Sequence, residues 1–299
     1  MSRTSIVSSL PRDSSGEPPV RAPERPEEVR AVLASLGVRP ARALGQSFLI
    51  DPFAADAEAA LVEVPPGRPV LEIGGGLGAL TAALLRRGKQ PLTVVERDRR
   101  LADHLRRRFG PRITVRTGDA LEVDLPEADC AVGNLPYSVA TPILLRLFAA
   151  RLPRIVALVQ EEVARRLAAG PGSGEYGRLS LAARLYGEVE LYRAIGPEAF
   201  YPAPKVTSRL IVHRARPGPL PVPSVADFER ATRELFSARR KQLGNTLPRW
   251  AGGEGEAARL ARAAGWPDGW SRLRPENLPP EAFFALARAR AGYDGISPE

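Results

Sequence analysis

The sequence is 299 residues long, 44% hydrophobic and 26% charged, with a formal net charge of +9. That length and composition fit a soluble globular protein with one large domain and a smaller one, and no apolar run reaches the roughly 18 residues that a membrane span requires. One cysteine, Cys130, and two isolated histidines, His104 and His213, exclude an internal disulfide and a zinc cluster, and they suit a reducing cytoplasm.

The basic excess favours a polyanionic partner, because each phosphate contact releases counterions. Arginine carries nearly all of it, with lysine only at Lys89, Lys205 and Lys241, so a general arginine bias contributes as well. The first residues, MSRTSIVSSLPRDSSGEPPVRAPERPEE, lack an apolar segment of the secretory kind and read as a flexible tail, taken as 1–25.

A short helix is expected over Glu27 to Leu36 and a second from Pro52 to about Val62, on either side of RALGQSFLID. Val70 to Ile73 is a short apolar-rich strand, the glycines after it form a turn, and a helix begins at Leu80. QPLTVVERD is a strand ending in acid, LADHLRRRFG a helix, and ITVRTGDALEVDLP and DCAVGNLPY continue the alternation into the helix ATPILLRLFAARL. RIVALVQEEVARRLAA reads as strand then helix, SLAARLYGEVELYRAI as helix then strand, and SRLIVHRAR as a last, alternating strand. Strands alternating with helices predict an α/β fold, a parallel sheet covered on both faces. RARPGPLPVPS, with four prolines, breaks the rhythm, and the segments beyond it are helical: Val225 to Ser237, around Arg240 to Trp250, Glu254 to Gly265 and Pro280 to Ala291. The expected division is an α/β domain over 26–217 and a small helical domain over 218–299.

EIGGGLG (72–78) lies between a strand and a helix, where Gly74, Gly76 and Gly78 let the backbone pass close to a ligand. Glu96, at the end of the next strand, is placed to accept from two ribose hydroxyls, and Asp119 in TGDAL ends a third strand where it can hold an adenine amino group. Such a series describes an adenosine-bearing cofactor at the sheet's carboxyl edge. A nicotinamide dinucleotide and S-adenosylmethionine both fit it in outline. GGGLG in place of the spaced GxGxxG, and Glu72 placed to face a positive methionine end, favour the second. A tight strand-to-helix turn also needs glycine for purely structural reasons.

The fourth strand ends in GNLPY (133–137) beside that edge. An adenine amine is a poor nucleophile, because its lone pair is delocalised into the ring. If the Asn134 side-chain oxygen and the Leu135 carbonyl accept its two N–H bonds, the nitrogen is drawn toward tetrahedral geometry and its lone pair toward a methyl sulfonium. Pro136 stiffens the turn and Tyr137 offers a face for a flipped-out base. No strong base is required, since the methylated amine loses its proton to water.

With these motifs in place the chain resembles the family of small-subunit ribosomal RNA adenine N(6),N(6)-dimethyltransferases, the KsgA/RsmA type, from about Ala41 to Leu247. LGQSFLID, VARRLAAGPGSGEYGRLSL, FYPAPKVTSRL and FSARRKQLGNTL carry the resemblance together with EIGGGLGALT and GNLPY. It implies a Rossmann-like class I methyltransferase fold with a mostly parallel seven-stranded sheet and a small C-terminal helical domain. The implied activity is S-adenosylmethionine-dependent dimethylation of two adjacent adenines in a hairpin loop near the 3′ end of 16S rRNA, during small-subunit biogenesis. The implied partner is that rRNA in the 30S subunit or its precursor, and the implied enzyme is a cytoplasmic monomer. Carried over by position, Gln46, Ser47, Leu49, Gly74, Gly76, Glu96, Asp119, Ala120 and Asn134 contact the cofactor. The family more often has Asn or His where Ser47 stands. Phe200 matches an aromatic that sandwiches the target adenine against Tyr137, with a core phenylalanine as the plain alternative. Lys205 and the run Arg239, Arg240, Lys241 meet rRNA phosphate, or else form a solvated helix face.

The nearest rival is the related large-subunit rRNA methyltransferase that confers macrolide resistance, which shares the glycine turn and a similar cup. FYPAPKVTS and FSARRKQLGNTL favour the small-subunit enzyme. A DNA adenine methyltransferase usually carries an acid at the first position of the cup. A non-catalytic assembly or transcription factor would not need the intact glycines, acids and NLPY, and an oxidoreductase is the remote option.

Overall fold

The computed structural model describes residues 22–40 and 45–292; most of the expected N-terminal tail and Ala41–Leu44 lie outside the described residues. The elements in chain order are α1 (Pro26–Ser35), β1 (Phe48–Leu49), α2 (Pro52–Ala60), β2 (Val70–Ile73), α3 (Ala79–Arg86), β3 (Leu92–Glu96), α4 (Arg99–Phe109), β4 (Thr114–Thr117), β5 (Cys130–Asn134), α5 (Ala140–Ala149), β6 (Arg154–Gln160), α6 (Glu161–Ala168), α7 (Arg178–Tyr186), β7 (Gly187–Ile195), β8 (Phe200–Tyr201) and β9 (Ser208–Ala215). Four helices follow: α8 (Val225–Ser237), α9 (Leu243–Ala251), α10 (Glu254–Ala263) and α11 (Pro280–Arg290). Seven strands form one sheet in the order β4-β3-β2-β5-β6-β9-β7, and β1 pairs antiparallel with β8 in a separate two-stranded sheet.

β4, β3, β2, β5 and β6 are successive parallel neighbours. The chain steps outward from β2 through β3 to β4 and then returns to the other side of β2 with β5. That reversal opens a crevice at the carboxyl ends of β2 and β5, the place where open α/β sheets bind ligands. Every residue of β2 is buried, as a strand covered on both faces requires. Gly133 of β5 passes so close to β2 that a Cβ there would lie 2.4 Å from the Ile73 carbonyl oxygen, which is why the apolar run CAV gives way to glycine before Asn134.

The described residues divide into two compact units, one comprising the chain through Ile143 with Arg154–Val159 and Ala194–Leu210, the other Leu144–Pro153, Gln160–Arg193 and the chain from Ile211 onward. In the first unit, α1 lays Val29 and Leu33 on a buried cluster with Val38, Phe48, Ile50, Leu77 and Leu101. This packing ties the FLID segment to Leu77 of the glycine turn. In the second unit, α8 starts where Ser224 Oγ accepts the Asp227 N–H at 3.2 Å, an N-cap the sequence supplies directly. Phe228 and Phe236 on α8 meet Phe284 and Phe283 on α11 at ring separations of 5.5 and 5.7 Å, anchoring the helical layer.

Candidate active site

The turn after β2 has three glycines with positive φ, Gly74 (+78°), Gly76 (+54°) and Gly78 (+85°). At Gly78 the need is double: the backbone is left-handed, and a Cβ would sit 2.5 Å from the Phe109 ring. Glu96, at the end of β3, clamps the turn. Its Oε2 accepts the Gly76 N–H and its Oε1 the Asp98 N–H, both at 2.9 Å. Burial raises the Glu96 carboxyl above its ordinary range, and those N–H groups oppose the shift. Each oxygen keeps acceptor capacity for a ligand hydroxyl. Asp119, just beyond β4, accepts the Leu121 N–H at 2.9 Å and faces Arg97 at 3.4 Å.

These groups border a cavity of about 520 Å³. Gln46, Ser47, Leu49, Gly74, Gly76, Glu96, Asp119, Ala120 and Asn134, the nine residues expected at a cofactor, all line it, and so do Leu135, Pro136 and Tyr137. Glu72 lies in the same wall, fully buried. Thr81 Oγ1 donates to its Oε2 at 2.7 Å, while its Oε1 is buried without a hydrogen-bond partner. A buried carboxyl left unsatisfied beside a cavity suits a ligand that brings a positive charge, and acids at the end of β3 and just beyond β4 suit ribose and adenine.

At the end of β5, Asn134 Nδ2 donates to the main-chain carbonyl of Ser47 at 3.1 Å. A carbonyl can only accept, so this bond fixes which end of the amide is which and leaves Oδ1 as the acceptor. Sequence reasoning assigned Ser47 a cofactor contact and missed this role; a main-chain carbonyl leaves no trace in side-chain identity. Tyr137 Oη and Ser208 Oγ are 2.6 Å apart, and the half-buried phenol is raised above its usual pKa by burial. Gly45 backs the same ring: a Cβ there would lie 3.0 Å from Tyr137 Cβ. Ser208, in the KVTS stretch, likewise carries no local sequence signal for this role.

Phe200 departs from expectation. It is 3% exposed, pairs with Leu49 across the β1–β8 ladder and does not line the cavity. In this structure it is a core residue, and the aromatic residues that border the cavity are Phe48 and Tyr137. The basic residues also separate. Lys205, Arg240 and Lys241 are exposed. Arg239 instead spends its guanidinium on the protein, donating to Glu276 Oε2, Gly174 O and Ser173 O at 2.5–2.8 Å, which argues against phosphate as its main partner. Within the second unit Arg239, Arg240, Lys241 and Arg274 border a separate cavity of about 840 Å³. Cys130 is buried in β5 with its thiol pushed up to about 12, and is inert. No group of three or more metal-ligating side chains occurs among the described residues.

A doubly wound sheet with a glycine turn, acids at successive strand ends and an Asn-Leu-Pro-Tyr cup beside them defines a class I S-adenosylmethionine-dependent methyltransferase. The model of one family, ribosomal RNA adenine dimethylase, matches residues 39–262. The chain is 41% identical, over 89% of its length and 98% of theirs, to the probable ribosomal RNA small subunit methyltransferase A of Natronomonas pharaonis. It is 40% identical to the ribosomal RNA small subunit methyltransferase A of Thermobifida fusca, over 89% of this chain and 95% of that one. Among solved structures, the 23S rRNA methyltransferase ErmE is similar at a TM-score of 0.60 with 28% identity, covering 82% of this chain and 99% of that chain. The chain belongs to the ribosomal RNA adenine dimethylase family.

Proposed function

We propose that the enzyme converts two adjacent adenines, in a hairpin loop near the 3′ end of 16S rRNA, to N(6),N(6)-dimethyladenosines. It does so as a cytoplasmic monomer acting on the assembling small ribosomal subunit. Residues 26–217 are the catalytic part and 218–299 the helical part that meets rRNA. Single-stranded loops are where RNA bases can be splayed into a pocket, and Lys205, Arg240 and Lys241 supply exposed charge for the phosphates.

The observation that carries the reading is the orientation of Asn134, set by the Ser47 carbonyl. S-adenosylmethionine, when bound, supplies a methyl group activated by its sulfonium charge. Gly74, Gly76, Glu96 and Asp119 hold the nucleoside end, and Glu72 faces the positive end. Asn134 Oδ1 and the Leu135 carbonyl accept the two amine hydrogens, so the nitrogen presents its lone pair. Tyr137, held through Ser208, stacks on the base, and Pro136 keeps the acceptors in place before substrate arrives. The amine proton passes to water rather than to a residue of the chain. The residues supply alignment and electrostatic preorganisation, with no general base.

The test is transfer of labelled methyl from S-adenosylmethionine to immature small subunits, read as dimethyladenosine. The likeness to ErmE supports a second reading, methylation of large-subunit rRNA. Label on naked 23S rRNA with none on small subunits would establish that reading. Tight binding to small subunits without transfer would leave only an assembly role.

A further inference from the structure

The wall of the cofactor cavity and the layer behind it contain more buried acid than nucleoside recognition uses. Glu72 on β2 and Glu58 on α2 are both fully buried. Both Glu58 oxygens and Glu72 Oε1 lack a hydrogen-bond partner. Glu96 stands on the next strand, each of its oxygens accepting one backbone N–H. The positive side chains of the rim are committed elsewhere, Arg97 to Asp119 and Arg100 to Asp98. Arg39 also lines the cavity. No arginine or lysine forms an ion pair with Glu58 or Glu72 among the described residues.

Two unpaired buried carboxyls cannot both stay ionised. Burial, with the charge of Glu72 adding to it and the Gly133 backbone opposing, drives the Glu58 carboxyl well above the carboxylate range. Glu72 is pushed up to about 8, by burial first and then by the charge of Glu96, with the Thr81 bonds opposing. At neutral pH Glu72, and Glu58 behind it, are therefore largely protonated before a ligand enters. A cation placed against Glu72 favours its ionised form and expels the proton; a neutral ligand of the same shape does not. Only Glu72 of this pair lines the cavity, so it lies nearer than Glu58 to a ligand there and responds more strongly to its charge.

We propose that Glu72 is the residue by which the enzyme distinguishes the charged cofactor from its spent form. It ionises when the sulfonium of S-adenosylmethionine enters and takes a proton back from solvent once transfer leaves the neutral thioether of S-adenosylhomocysteine. Glu58 stays protonated behind it. The consequence is weaker retention of product than of substrate cofactor, tuned by pH. This inference rests on the cofactor assignment made above.

The test is isothermal titration of the full chain with each ligand, in buffers of different ionisation enthalpy, which counts protons exchanged on binding. At pH 7 S-adenosylmethionine should release close to one proton more than S-adenosylhomocysteine. The ratio of their affinities should rise with pH, by up to about tenfold per unit, and level off above about pH 8. The ligand's own amino group can only take up a proton in an acid-lined cavity, which is the opposite sign. Glu72→Gln should abolish the difference in proton count, while Glu58→Gln, which removes the second titrating group, should keep it. Equal proton counts for the two ligands on the wild-type protein overturn the proposal, as does a difference that survives in Glu72→Gln. Failure of either ligand to bind at all would overturn the cofactor assignment instead.

Discussion

Replacing Asn134 by alanine removes the acceptor aimed at the target amine and the donor that meets the Ser47 carbonyl. A preorganised polar group facing charge that develops in the transition state contributes about 2.7–4 kcal/mol, or roughly 10²–10³ in rate. The structural cost is smaller. One hydrogen bond between half-buried partners is lost, about 1 kcal/mol, which lowers Tm by roughly 2–4 °C in a protein of this size. Transfer should therefore fall ~10²–10³-fold in single turnover on immature small subunits at saturating cofactor, with the protein folded and the cofactor still bound in a direct titration. Asn134→Asp should be about as damaging, because a carboxylate has no N–H for the Ser47 carbonyl and is repelled by it. Ser47→Ala keeps the main-chain carbonyl and should stay within about 0.5 kcal/mol of wild type, roughly twofold in rate. Wild-type turnover in Asn134→Ala would refute the cup. A Ser47→Ala defect as deep as that of Asn134→Ala would refute the claim that the main chain orients the amide.

The remaining predictions concern stability and the RNA face. His213 on β9 is fully buried against Phe148 with neither ring nitrogen hydrogen-bonded, and burial pushes its pKa down to about 4. Because the folded pKa lies below the ordinary value of about 6.5, stability is full above pH 6.5 and is lost as pH falls toward 4, by about 3 kcal/mol in total; denaturant melts of His213→Leu should lack that part of the acid slope. Gly78→Ala adds a Cβ at positive φ against the buried Phe109 ring, and should cost roughly 2–5 kcal/mol in denaturant midpoint and weaken cofactor binding; a loss under about 1 kcal/mol would contradict the packing. Arg239→Ala should destabilise by about 1–3 kcal/mol, discounted for its partial exposure, by freeing the 173–174 turn and Glu276. Arg240→Ala should leave stability within about 0.5 kcal/mol but lower the salt slope of rRNA binding by about 1, and the reverse pattern would exchange the two roles.

The strand ends were legible because they are local. An apolar run that stops at Glu96 or Asn134 places a polar group at one edge of a parallel sheet, and chain order fixes which edge; Asp119 follows the shorter, polar strand β4 by the same alternation. The bounds of α8 could be read from Val225 to Ser237 for a similar reason: its apolar face and the serine before it are neighbours in sequence. Pairing between distant segments was not legible. The β1–β8 ladder joins residues some 150 positions apart over two residues each, too short for any alternation to register. That ladder also decides the fate of Phe200, since an aromatic before a proline-rich turn reads alike whether its ring faces a substrate or the core. Arg239 could not be told from Arg240 by charge, because what separates them is a turn at 173–174 that the fold brings up.

Glu58 is the case where a periodicity argument had more to give. Among the alanines of α2 it reads as an ordinary solvated acid, yet it is spaced three and four residues from Ala55 and Ala54, on the stripe that α2 buries. A carboxylate on such a stripe is costly unless something offsets it, and no arginine or lysine lies near it in sequence. The buried face therefore implied either a neutral acid or a charge supplied from outside the chain. For Glu58 the first condition holds, since burial drives its carboxyl well above the carboxylate range. The acid that faces the cavity, Glu72, can follow the ligand's charge, and Glu58 behind it remains neutral.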